Sequence, residues 1–164
     1  MAARGCHLDP PLAALMWLLF GLGAICGTLA GGRVADLWGA AWSLKLWLAL
    51  QVTAVALALN ASVTSLVVSA MLGGFAGLGI TAVVLARARE LAGPAAGILW
   101  VRATALYALA QAATGFALVP LFAYTNPYTL VFATCIALSM AALLVSAPDR
   151  WSPAAIDLMP VFGR

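Results

Sequence analysis

Charge is what this chain has least of. Only 8% of its 164 residues are charged, against roughly a quarter in an ordinary soluble domain. A water-soluble globule of this size must cover itself with polar side chains, so that class is excluded. Intrinsic disorder requires low hydrophobicity and high charge, and this chain is 65% hydrophobic with a mean hydropathy of +1.08. Three cysteines are too few to staple a secreted module. Cys26 and Cys135 lie inside apolar runs, where they read as small packing residues. Cys6 and the single histidine, His7, make two ligands, short of a metal site, so neither metal nor cofactor is expected. Asp, Glu and His are missing from the centre of every apolar run, which removes the usual groups of a proton relay. His7 has no Ser or Cys nucleophile placed by spacing, and Asp36 and Asp149 are far apart. No phosphate-binding glycine loop ends in Lys-Ser or Lys-Thr. The pattern is not that of an enzyme. Eight basic residues give a net charge of +3, but they are too scattered to line a groove, so no nucleic-acid partner is expected.

What is present is apolar sequence in long runs. Five runs cover about 12–31, 42–59, 63–86, 103–122 and 128–147, each bounded by charges or turn residues. A membrane crossing takes about 20 residues. In lipid every backbone N–H and C=O must be satisfied within its own segment, which requires helix. A barrel is excluded, because its strands alternate apolar and polar residues and these runs do not. The predicted fold is therefore an all-α integral membrane protein, a bundle of five transmembrane helices forming one domain over 12–147. Residues 1–11 precede it and a tail, 148–164, follows. Residues 91–100 hold Gly93, Pro94 and Gly97 and read as an interfacial connector or as the start of the fourth helix. Asp9-Pro10-Pro11 ahead of the first run does not fit a cleaved signal, so the first helix is expected to be retained.

The basic residues orient the bundle. Arg33 falls between runs one and two and Lys45 at the start of run two, Arg87, Arg89 and Arg102 between three and four, and Arg150 and Arg164 in the tail. These seven share one side, and the other side has Arg4 alone. Positive charge marks the cytoplasmic side. The expectation is a multi-pass protein of the cell membrane with an external N-terminus and a cytoplasmic C-terminus.

Small residues suggest packing faces. Gly23, Gly27 and Gly31 recur every four residues on helix one, and Gly73 and Gly77 on helix three, where Ser69 extends the row. Thr104, Tyr107, Gln111 and Thr114 have spacings of three, four and three, so they share a face of helix four. Such a polar stripe should face a helix or a watery pathway, and both readings stay open for Gln111. Gln51 and Thr53 on helix two are a weaker echo, read as structural.

The stretch Gly32-Arg33-Val34-Ala35-Asp36-Leu37-Trp38-Gly39 resembles the cytoplasmic loop signature of the major facilitator superfamily, G-x-L-A-D-x-x-G followed by basic residues. Leu37, Ala40 and Ala41 stand where basic residues are usual. Leu15 to Gly23, Met71 to Ile80 with Ala88-Arg89-Glu90-Leu91, and Ala110-Gln111 with Thr114-Gly115 resemble the YbfB-type subfamily of these transporters. The resemblance implies that the five helices correspond to helices eight to twelve of a twelve-helix secondary transporter. It also implies an opposing N-terminal half, a small-molecule substrate, and transport by alternating access. On it, Gly32, Arg33, Asp36 and Gly39 form a conformational loop motif, with Gly32 at the turn and Asp36 capping the next helix. The other functional readings are a small multi-pass subunit or scaffold, and an inactive truncated product.

Overall fold

A computed structural model describes residues 9–60, 62–125 and 128–146. The expectations placed on Arg4, Cys6, His7, the Asn126-Pro127 turn and the 148–164 tail lie outside these residues. The described chain consists of five α-helices and one short 3-10 turn. They are α1 (Pro10–Trp38), α2 (Ala40–Ala58), α3 (Val63–Ala92), the turn Gly93–Ala95, α4 (Ala96–Thr125) and α5 (Tyr128–Ser146). There is no strand among the described residues.

Three helical stretches are long and apolar enough to cross a membrane: Pro10–Trp38, Ala40–Ala58 and Val63–Val119. The last runs 57 residues, more than twice what one crossing takes. Gly93, at φ 46°, divides it into α3 and α4. Between 17% and 22% of the apolar 18-residue window in each stretch is buried within the chain itself. Large apolar side chains such as Trp17, Leu29 and Leu37, 69–78% exposed, therefore cover much of the outside. That surface suits a hydrocarbon solvent and not water.

Three helices run further than the apolar runs alone imply, α4 by starting at Ala96, ahead of its run at 103–122. Helix α1 continues through Gly32 to Trp38, and α3 through Arg87, Arg89 and Glu90 to Ala92. At about 1.5 Å per residue α1 is some 43 Å long, well beyond a hydrocarbon core of about 30 Å. The segment from Gly32 to Trp38 is thus the last two turns of a helix, not a loop. No proline interrupts it, and continuing the helix satisfies backbone groups that would otherwise be open. The whole connection to α2 is Gly39, at φ 83° and ψ 144°, a conformation that glycine adopts and other residues resist. Its N–H donates to the Ala35 carbonyl, and its own carbonyl accepts from Ser43 Oγ at 2.9 Å. Gly32, expected at the turn, is helical with open space around it.

The core is the seam of α1 on α3, closed on one side by α2. Buried residues there are small: Ala24, Ala35, Ala54, Ala76 and Val83, with Trp47 the one large side chain fully enclosed. Helices α1 and α3 run in the same direction, since Gly23, Gly27 and Gly31 meet Met71, Phe75 and Gly79 in that order. Helix α2 returns between them, and α5 packs on α2. Helix α4 touches α3 and α5 only lightly.

Candidate functional site

The seam is made by backbones in contact. A methyl group on Gly23 would strike the Met71 carbonyl, and one on Gly27 the Phe75 carbonyl. One on Gly31 would lie 2.8 Å from the Gly79 carbonyl oxygen. From the other side, Gly74 meets the Phe20 carbonyl and Gly79 the Gly27 carbonyl. Lipid offers no hydrophobic drive between helices, so this close approach of small residues supplies the packing. On α3 the close contacts fall at Gly74 and Gly79, not at the expected Gly73 and Gly77. Gly73 has open space, and Gly77 turns to α2, where Gln51 Oε1 would lie 3.6 Å from an added methyl. The register on α3 is set by the Phe20 and Gly27 carbonyls of α1, which the four-residue spacing alone does not reveal.

Polar groups join α2 to α3. Ser69 Oγ donates to the Ala54 carbonyl at 2.7 Å, and Ser65 Oγ to the Leu57 carbonyl at 2.7 Å. Ser62 caps α3, accepting from Ser65 N–H. Trp47 is 1% exposed and stacks on Phe75, ring centroids 5.5 Å apart. Its Nε1 lies against Gly79. Neither Trp47 Nε1 nor Gln51 Oε1 has a hydrogen-bond partner among the described residues, although both atoms are buried. An unpaired buried donor or acceptor costs about 1–3 kcal/mol. Thr53, by contrast, satisfies itself on the Ala49 carbonyl of its own helix.

At one end of the bundle, Glu90 ties two helices together. Its Oε1 accepts from Ala40 N–H, the first residue of α2, at 2.7 Å, and its Oε2 accepts from Arg87 at 2.9 Å. A carboxylate at a helix N-terminus satisfies an orphan donor and meets the positive end of the dipole. The α2 N-terminus is therefore capped by Glu90, not by Asp36, which is exposed on α1. The reason is geometric: Asp36 stays within a helix that ends only at Trp38, while the C-terminal turn of α3 arrives beside Gly39. Arg33 is exposed on the same late turn of α1 as Asp36. Arg33, Lys45, Arg87, Arg89 and Arg102 all belong to helix portions flanking the α1–α2 and α3–α4 connections, at this end of the bundle.

The stripe on α4 lies apart from the seam. Thr104, Tyr107, Gln111 and Thr114 are all exposed. Thr104 donates to the Trp100 carbonyl and Thr114 to the Ala110 carbonyl, each within the helix. That leaves Tyr107 and Gln111 as the outward-directed polar groups of the face. No group of three or more His, Cys, Asp or Glu that could hold a metal occurs among the described residues.

The described residues form apolar helices joined by glycine contacts and backbone-directed serines, with three stretches long and apolar enough to cross a membrane, as in a helical membrane protein. The sequence profile of the family described as "Uncharacterised MFS-type transporter YbfB" matches residues 1–147, and the chain belongs to this transporter family. No curated protein and no solved structure matches it. Gly74 and Gly79, Trp47 and Glu90 were not singled out for these roles by spacing. Only Glu90 had a sequence signal, its place after Arg87 and Arg89 at the end of an apolar run.

Proposed function

We propose that this chain moves a small solute across the cell membrane by alternating access, as part of a secondary transporter with five crossings. The observation that carries the reading is the family match over residues 1–147, with four polar residues sharing one face of the largely exposed helix α4 beside it. In this reading α1, α2 and α3 form a stiff unit, because backbone-to-backbone seams leave little room to slide. Helix α4 contributes Thr104, Tyr107, Gln111 and Thr114 to the solute pathway, opposite the other half of the transporter. Solute binds near the midplane between two such halves, which rock about it. The end bearing Arg33, Lys45, Arg87, Arg89 and Arg102 is cytoplasmic by the positive-inside rule, and the first helix enters from outside. Gly32, Arg33, Asp36 and Gly39 act at this cytoplasmic end, with Gly39 as the pivot and Glu90 as its tether.

The test is uptake into proteoliposomes against a panel of small solutes, with Gln111→Ala as the diagnostic variant. The same substitution is made in a twelve-helix member of the family that carries the stripe. Reduced uptake at unchanged membrane abundance is expected. Unchanged uptake would assign Gln111 to helix packing.

A further inference from the structure

Trp47 and Gln51 are one helical turn apart on α2, so their side chains share a face. That face meets α3 at Gly77 and Gly79, two positions with no side chain. The indole N–H of Trp47 is a donor without an acceptor, and Gln51 Oε1 is an acceptor without a donor. The surroundings are apolar: Phe75 stacks on the indole, and Ala76 and Val83 are fully enclosed. Removing either polar group would relieve an unpaired buried atom, yet both face the same seam. There is also room beside the acceptor. Leaving aside its own stretch of helix, an added methyl on Gly77 would meet Gln51 Oε1 alone among the described residues within 4 Å, at 3.6 Å.

We infer that Trp47, Gln51 and the notch at Gly77 form a buried site for hydroxyl oxygen. A hydroxyl is the group that completes both partners, since it accepts from the indole N–H and donates to the amide oxygen. A carboxylate does not fit as the occupant, because it brings no proton for Gln51 Oε1. The hydroxyl comes from water or from an alcohol, and both sources present the same chemistry. The oxygen bridges two side chains of α2 against α3, whereas Ser65 and Ser69 of α3 bond the α2 backbone directly further along.

The experiment is X-ray hydroxyl-radical footprinting of the full chain in lipid nanodiscs, in water enriched in oxygen-18, read by mass spectrometry at Trp47. Water held against a buried side chain labels it during radiolysis. With water as the source, Trp47 takes up the heavy oxygen at a rate comparable to Trp38 near the end of α1, despite being enclosed. In Gly77→Ala, whose methyl fits the notch, that labelling falls several-fold, while Gly73→Ala leaves it unchanged. With an alcohol as the source, Trp47 is unlabelled, and added glycerol raises the thermal midpoint of the wild type more than that of Gly77→Ala. An unlabelled Trp47 with equal glycerol shifts in the two proteins overturns the site. So does labelling that Gly77→Ala leaves intact.

Discussion

Replacing Gly27 by alanine tests the α1–α3 seam most sharply. The added methyl would collide with the Phe75 carbonyl oxygen and lie 2.6 Å from both the carbonyl carbon and the α-carbon of Phe75. Carbon atoms in contact prefer about 3.5–4.0 Å, so the helices must part by roughly 1 Å. All three atoms are backbone, so no side chain can turn aside. Parting them loosens the neighbouring contacts at Gly23 and Gly31 and the stacking of Trp47 on Phe75. Overpacking of this kind costs about 1–3 kcal/mol, occasionally more. The same change at Gly73 meets nothing within 4 Å. There alanine adds helix propensity, worth up to about 1 kcal/mol over glycine. The propensity gain is common to both variants, so Gly27→Ala should be the less stable by the overpacking cost, about 1–3 kcal/mol. Denaturation in mixed detergent micelles, followed by tryptophan fluorescence, reads the difference. Equal stability of Gly27→Ala and Gly73→Ala would refute the seam.

Three further outcomes follow from the same contacts. Glu90→Ala removes the cap on Ala40 and should cost about 1–2 kcal/mol, seen as faster hydrogen exchange of the first-turn amides of α2, whereas Glu90→Gln keeps an acceptor and loses less. Asp36→Asn, at an exposed position outside that cap, should leave those amides unchanged in the same measurement. Ser69→Ala deletes an interhelical bond and should cost about 0.6 kcal/mol, up to about 1.7, in a micelle unfolding assay, with Thr53→Ala near zero because its bond is local and exposed.

The sequence makes the helices legible because a long apolar run with little or no charge has few other solutions in lipid. Their ends are less so. Gly32 and Asp36 look like loop residues, yet nothing between Gly31 and Trp38 stops a helix, and the chain turns only at Gly39. The α1 glycines were readable because Gly23, Gly27 and Gly31 offer one four-residue row. Helix α3 offers several, with glycines at 73, 74, 77 and 79, and only the opposing carbonyls choose among them. The capping role of Glu90 joins residues 50 apart in sequence, a contact that no local pattern encodes. The polar stripe on α4 was legible as a face, since it rests on helical spacing alone. What it faces depends on surfaces beyond this bundle.

The measurement closest to the central claim is cysteine accessibility along α4. In a background with Cys6, Cys26 and Cys135 replaced by alanine, single cysteines are placed at Thr104, Tyr107, Gln111 and Thr114, and at Leu106, Leu109 and Phe116 on the opposite face of the helix. A membrane-impermeant thiol reagent is then applied to the protein in vesicles. A pathway along the stripe predicts reaction at the first four positions and protection at the other three. Uniform protection, or reaction without regard to the face, would contradict it.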